Sequence, residues 1–128
     1  MAEVELRSVL LGERERNTLI ALLAKVDSPE FDTLFDELDA AIVVADDQIP
    51  RDVVRMNSIV TYLDEALNAT STVKLVYPSA IDTEVAGAKA VSVLAPIGAA
   101  LIGLREGESI SWPMPNGRSK TLKVISSS

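Results

Sequence analysis

The stretch from Val91 to Gly117, VSVLAPIGAALIGLREGESISWPMPNG, narrows the fold more than any other part of the chain. Val91 to Leu94 reads as the end of a strand that starts at Lys89. Pro96 has no N–H to donate and suits the first turn of a helix. Ile97, Ala100, Leu101 and Leu104 then fall on one side of that helix. Gly103 and Gly107 bracket its end. Ser109 to Trp112 returns to a strand, and Asn116-Gly117 suits a tight hairpin. Lys120 to Ile125 completes the pair, with Leu122 and Val124 on one face. So short a helix does not hold itself in water. It has to lie on a sheet, which makes this region a small two-layer β-domain.

Earlier in the chain the periodicity changes. Val4 to Leu11 is either a short strand or an irregular lead-in. Glu13 to Val26 reads as a helix, with Leu19, Leu22, Leu23 and Val26 at helical spacing. Asp27-Ser28-Pro29-Glu30 is a break and restart that resembles a capping box. A second helix is expected from Pro29 to Ala41, its apolar stripe being Phe31, Leu34, Phe35 and Leu38. Two such helices joined by a short break form an antiparallel hairpin, roughly 20 Å long at 1.5 Å per residue. Ala41 to Ala45 is a short strand. Asn57 to Leu67 alternates imperfectly between strand and helix patterns, and its β-branched residues favour strand. Asn68 to Thr72 reads as a polar turn, Thr72 to Tyr77 as a strand stopped by Pro78, and Ser79 to Gly87 as a loop. The expected division is a helical arm over residues 1–45 and a β-domain over 46–128.

Composition bounds the chemistry. Hydrophobic residues reach 48% but aromatics only 4%, so the core must be aliphatic. No apolar run approaches the ~20 residues that span a membrane. The start lacks a basic segment followed by an apolar one, so no signal peptide is expected and the address is cytoplasmic. There is no Cys, hence no disulfide or thiol chemistry. There is no His, which removes the commonest general base and transition-metal ligand. Neither a hydrolase triad nor the usual zinc site can be built. No cofactor or metal is expected. Residues 1–50 hold twelve acids and four bases, whereas residues 51–128 hold seven and eight. Such an acidic first part repels phosphate backbones. It either faces a basic protein surface or aids solubility.

The segment from Val91 to Trp112, closing on Pro115-Asn116-Gly117, resembles the C-terminal domain of the Gre transcript-cleavage factors. Asp52-Val-Val-Arg-Met-Asn-Ser58 and Leu75-Val-Tyr-Pro-Ser-Ala80 resemble more closely the Rnk family, the regulators of nucleoside diphosphate kinase. The resemblance covers residues 50–125 and thins over the arm. It implies an α+β protein: a short N-terminal antiparallel helical hairpin followed by an FKBP-like domain of about five antiparallel strands and one short helix. It implies a non-enzymatic regulator that binds bacterial RNA polymerase at the rim of its secondary channel, on a helical hairpin of the largest subunit. The Gre docking loop maps onto Ala95, Pro96, Ile97 and Gly98. Ala95 stands where Gre factors often carry Ser, which removes one side-chain hydrogen bond. Pro96 serves equally as a helix starter.

Gre arms are long and carry adjacent acids at the tip, which help position metal for transcript cleavage. Here the arm is short, and its tip acids are Asp27, Glu30 and Asp32. Asp27 and Glu30 are not adjacent, and helix capping accounts for both. The resemblance therefore implies competition with Gre factors without cleavage, and an indirect link to nucleoside diphosphate kinase. Direct regulation of that kinase is one rival. Peptidyl-prolyl isomerase activity, from the FKBP-like fold, is another; fold alone is a poor guide, and Tyr62, Tyr77 and Trp112 are few aromatics for such a pocket. Trp112 reads as core or rim. Arg51, Arg55, Lys74, Lys89 and Arg105 read as a solvated face. Gly98, Gly103 and Gly107 do not form a phosphate loop, which would precede its helix and supply Lys.

Overall fold

A computed structural model describes residues 9–26, 28–80, 88–114 and 117–127, and the chain divides into two compact units, Met1–Ile49 and Pro50–Ser128. In the first unit, β1 (Leu10–Gly12) leads directly into α1 (Glu13–Val26). A 3-10 turn at Pro29–Phe31 leads into α2 (Asp32–Asp39), and β2 (Ile42–Val44) follows. The helix α1 has the expected bounds. The second helix is shorter than its apolar stripe promised, because Pro29 opens the tighter 3-10 turn and regular α-helix begins only at Asp32. Strands β1 and β2 pair in parallel, Leu10 with Ile42 through Gly12 with Val44. A parallel pair needs a long crossover, which the helical segment between them supplies.

Long-range contacts fasten this unit. The Arg14 N–H, in the first turn of α1, donates to Asp46 Oδ1 at 2.9 Å. That carboxylate caps α1 from beyond β2, where a free N–H would otherwise face solvent. Gly12 makes the approach possible: a Cβ there would strike the Asp46 carboxylate. Arg16 Nε donates to the Leu38 carbonyl at 2.8 Å, near the end of α2, with Asp39 3.8 Å from its guanidinium. Leu19, Leu23, Leu34 and Leu38 are buried.

The second unit is built on β3 (Ile59–Asp64), β4 (Ala69–Val76), β5 (Lys89–Ser92), β6 (Ser109–Pro113) and β7 (Ser119–Ser127), with α3 (Pro96–Leu101) between β5 and β6. Spatial order is β5-β4-β3-β7-β6. The sheet is mixed and not wholly antiparallel as expected: β4 and β5 run parallel, Val73 with Lys89 through Val76 with Ser92. The segment between them is long enough to carry the chain back to the same end before it re-enters the sheet. The expected turn at Asn68 to Thr72 is also corrected. Asp64 Oδ1 accepts from the N–H groups of Ala66 and Leu67, Asn68 takes φ 50°, and β4 has begun by Ala69. The turn is thus an Asx-type turn over residues 65–68, ending where the expected one began. Most of the expected Ser79–Gly87 loop, and Asn116 of the hairpin turn, lie outside the described residues.

Helix α3 packs against both edge strands, β5 and β6. In a flat five-stranded sheet those edges would lie about 19 Å apart, against a helix roughly 10 Å across. The sheet therefore curls around α3. Val60, Leu75, Val93, Leu101, Leu104, Leu122 and Val124 fill the interior, all at most 1% exposed. Trp112 joins them at 5%.

Candidate functional site

Strand register decides what shares the face that α3 covers. Val60 pairs with Val73, and Tyr62 with Ser71 on one side and Val124 on the other. Leu75 pairs with Val91, and Trp112 with Lys120. Since side chains alternate, these residues all project to one side. Helix α3 is too short to cover that whole side. What it leaves open is a groove of about 610 Å³, with Tyr62, Val73, Val91, Pro96, Ile97 and Met114 supplying much of its lining. Ser71, Thr72, Lys89, Ala95 and Lys120 complete it.

The loop expected to dock a partner forms one wall of this groove. Ala95, Pro96 and Ile97 are half-buried. Ala95 is the residue before α3, in extended backbone and without a side-chain cap, and Pro96 occupies the first turn. The fixed φ of Pro96 keeps this wall stiff. Gly98 belongs to another job. It is buried, and a Cβ on it would strike the Ser92 carbonyl oxygen and come within 3.0 Å of Leu75 Cδ1. It lets α3 approach the end of β5.

The charged side chains among the described lining residues are Lys89 and Lys120. Lys120 Nζ lies 2.9 Å from Asp64 Oδ2. That hydrogen bond holds the Asp64 carboxyl below its ordinary 3.8, helped by the N–H groups of Leu67 and Ala66 and opposed by burial. The same contact raises the Lys120 ammonium above 10.5. Lys89, on edge strand β5, makes no ion pair among the described residues. Among the described residues, the lining holds no His, Cys, Asp or Glu. The described lining therefore brings apolar surface and two ammonium groups to the groove. An apolar floor with a positive rim suits holding a partner.

The loop expected from the sequence, Ala95–Ile97, lines this groove, and so do Lys89 and Lys120, which the sequence did not mark as belonging to it. Lys89 was read as part of a solvated face, and Lys120 was not singled out. A signal was present: Lys120 alternates in phase with Leu122 and Val124, and a charge on the core-facing phase of a strand needs a partner. The partner, Asp64, could not be read without the β3–β7 register.

The acidic tip of the first unit is described only in part. Glu30 and Asp32 are exposed, and Asp27 lies outside the described residues. Ser28 precedes the 3-10 turn but makes no capping bond; its hydroxyl lies 3.5 Å from Glu30 Oε1. No group of three or more His, Cys, Asp or Glu able to hold a metal occurs among the described residues. No described helix is long and apolar enough to cross a membrane.

Comparison with known proteins follows the same division. The C-terminal region of the GreA/GreB transcription elongation factors, as a family, matches residues 49–128. The regulator of nucleoside diphosphate kinase from Escherichia coli K12 is 39% identical over 97 residues, which span 76% of this chain and 69% of that protein. The Shigella flexneri regulator of the same name matches equally. Among solved structures, the prokaryotic transcription elongation factor GreA/GreB from Nitrosomonas europaea superposes with a TM-score of 0.72 at 34% identity, over 95% of this chain and 98% of that one. Gfh1 of Thermus aquaticus reaches 0.50 at 20% identity over 94% and 98%, a likeness of fold alone.

Proposed function

The chain belongs to the GreA/GreB C-terminal family, and within it to the Rnk regulators of nucleoside diphosphate kinase; from that membership we propose a non-catalytic transcription regulator that binds RNA polymerase. The groove beside α3 grips the polymerase at the rim of its secondary channel, with Ala95, Pro96 and Ile97 as the contacting wall. The second unit is read as an FKBP-like arrangement, and the helices of the first as a short coiled-coil arm. The observation that carries the reading is the groove itself: a stiff, half-exposed proline-led wall above an apolar floor, with Lys89 and Lys120 in its lining. A surface of that kind presents preordered contact area at low entropic cost.

The arm takes no part in chemistry in this reading. It is short, its acids Glu30 and Asp32 are exposed helix-start residues, and transcript cleavage is not stimulated. Occupying the same rim nonetheless blocks a Gre factor. The effect on nucleoside diphosphate kinase then runs through transcription. The isomerase reading is set aside because Tyr62 is the single aromatic among the described lining residues.

Pull-down with purified core polymerase, competed by a Gre factor, tests the reading. Binding that the Gre factor displaces, and that Ile97→Glu abolishes, is the expected result. No association at micromolar protein would overturn it. Adding the protein directly to purified nucleoside diphosphate kinase should leave phosphate transfer unchanged; a direct change in rate would shift the reading to a kinase effector.

A further inference from the structure

Both phenylalanines of this chain, Phe31 and Phe35, line one groove on the first unit. Ile20, Leu23 and Ala24 of α1 face them across it, in a cleft of about 280 Å³. The apolar stripe of α2 is wider than its packing uses. Leu34 and Leu38 are 2% and 0% exposed, whereas Phe35 is 43% exposed and Val26, at the end of α1, 37%. An aromatic left open on a concave apolar surface marks an interaction site, and aromatics are prominent among interface anchors.

The charges beside the groove decide what can fill it. Glu30, Asp32 and Asp36 flank the phenylalanines in the chain and are exposed, with Lys25 the nearby base. Twelve acids against four bases make up the first 50 residues. A second copy would bring its own acids against these, and an anionic lipid surface would be repelled in the same way. The complement is an apolar ridge flanked by Lys or Arg, which a helix laid in a groove provides.

We propose that this groove receives a basic amphipathic helix of a partner protein, its apolar ridge seated on Phe31 and Phe35 and its cations beside Glu30, Asp32 and Asp36. The site is separate from the groove beside α3 and does not depend on the polymerase reading. The full-length chain, labelled for NMR, is titrated with a synthetic amphipathic helix of Leu and Lys. Parallel titrations use a scrambled peptide of the same composition and a Leu/Glu helix of the same pattern.

The expected result is shifts confined to the Ile20–Phe35 region with the Leu/Lys helix alone. Phe35→Ser should weaken that binding by ~10-fold or more, as loss of an anchor does. Asp32→Lys, which leaves the apolar floor intact, should also weaken it and reduce its salt dependence. This second variant decides the matter if Phe35→Ser perturbs folding. Equal binding by the scrambled or Leu/Glu peptide, or an unchanged affinity in Asp32→Lys, would overturn the proposal. So would a concentration-dependent dimer that Phe35→Ser dissociates, or Phe35-dependent binding to anionic phospholipid vesicles.

Discussion

Gly12 and Asp46 are an N-cap assembled from two distant places. The Asp46 carboxylate reaches the first turn of α1 only because residue 12 has no Cβ. Asp46→Ala should cost about 0.5–2 kcal/mol of stability, the usual range for a lost cap. Gly12→Ala should cost about 1–3 kcal/mol, because the new methyl group displaces that carboxylate. The double variant should cost less than the two combined, which urea unfolding of all four proteins checks. Asp64 and Lys120 make a second pair whose effect depends on pH. The Asp64 carboxyl is depressed in the fold, so its contribution is present above 3.8 and is lost as pH falls through its lower folded value. The Lys120 ammonium is raised, so its contribution is present below 10.5 and is lost as pH rises through its higher folded value. Asp64→Asn should therefore be less stable than the wild type at pH 7, and the gap should narrow in strongly acidic buffer. Denaturant midpoints at the two pH values give the answer.

Elements differ in how plainly their sequences announce them. α1 was legible because its leucines repeat at helical spacing and a charged turn opens it. The helix α3 was legible from Pro96 and the apolar residues behind it. Asp52 to Ser58 was less so, and the structure explains it without chemistry. Asn57 sits at φ 71°, its N–H donates to the Leu75 carbonyl at 2.6 Å, and Ser58 Oγ accepts from the Arg55 N–H at 2.9 Å. That segment is a locked turn against β4. The apolar stripe of α2 was legible too, but not which of its members face inward. Leu38→Ala should cost ~2–5 kcal/mol as a fully buried truncation. Phe35→Ala, on the same stripe, should stay under ~1 kcal/mol because water already reaches it. Thermal melts of the two variants distinguish a helix packed on both sides from one open on the Phe35 side.

At the scale of the whole molecule, each unit carries its own buried residues, and the boundary at Pro50 falls between them. Residues 50–128 alone should unfold cooperatively, since Val60, Leu75, Val93, Leu101, Leu104, Leu122 and Val124 all lie within that unit. A fragment lacking a cooperative circular-dichroism melt would contradict this. Local pattern determined most of the element types, the aliphatic core, the absence of histidine and cysteine from the chain, and the proline-led start of α3. Those are properties of neighbours in the chain, which composition and period record directly. Tertiary structure alone decided that β4 and β5 run parallel, that Asp46 caps α1, that Gly98 yields to Ser92, and that Lys89 and Lys120 border the groove that Pro96 walls. Each of these is a meeting of residues far apart in sequence, set by strand register and close packing, and no single segment encodes its own partner.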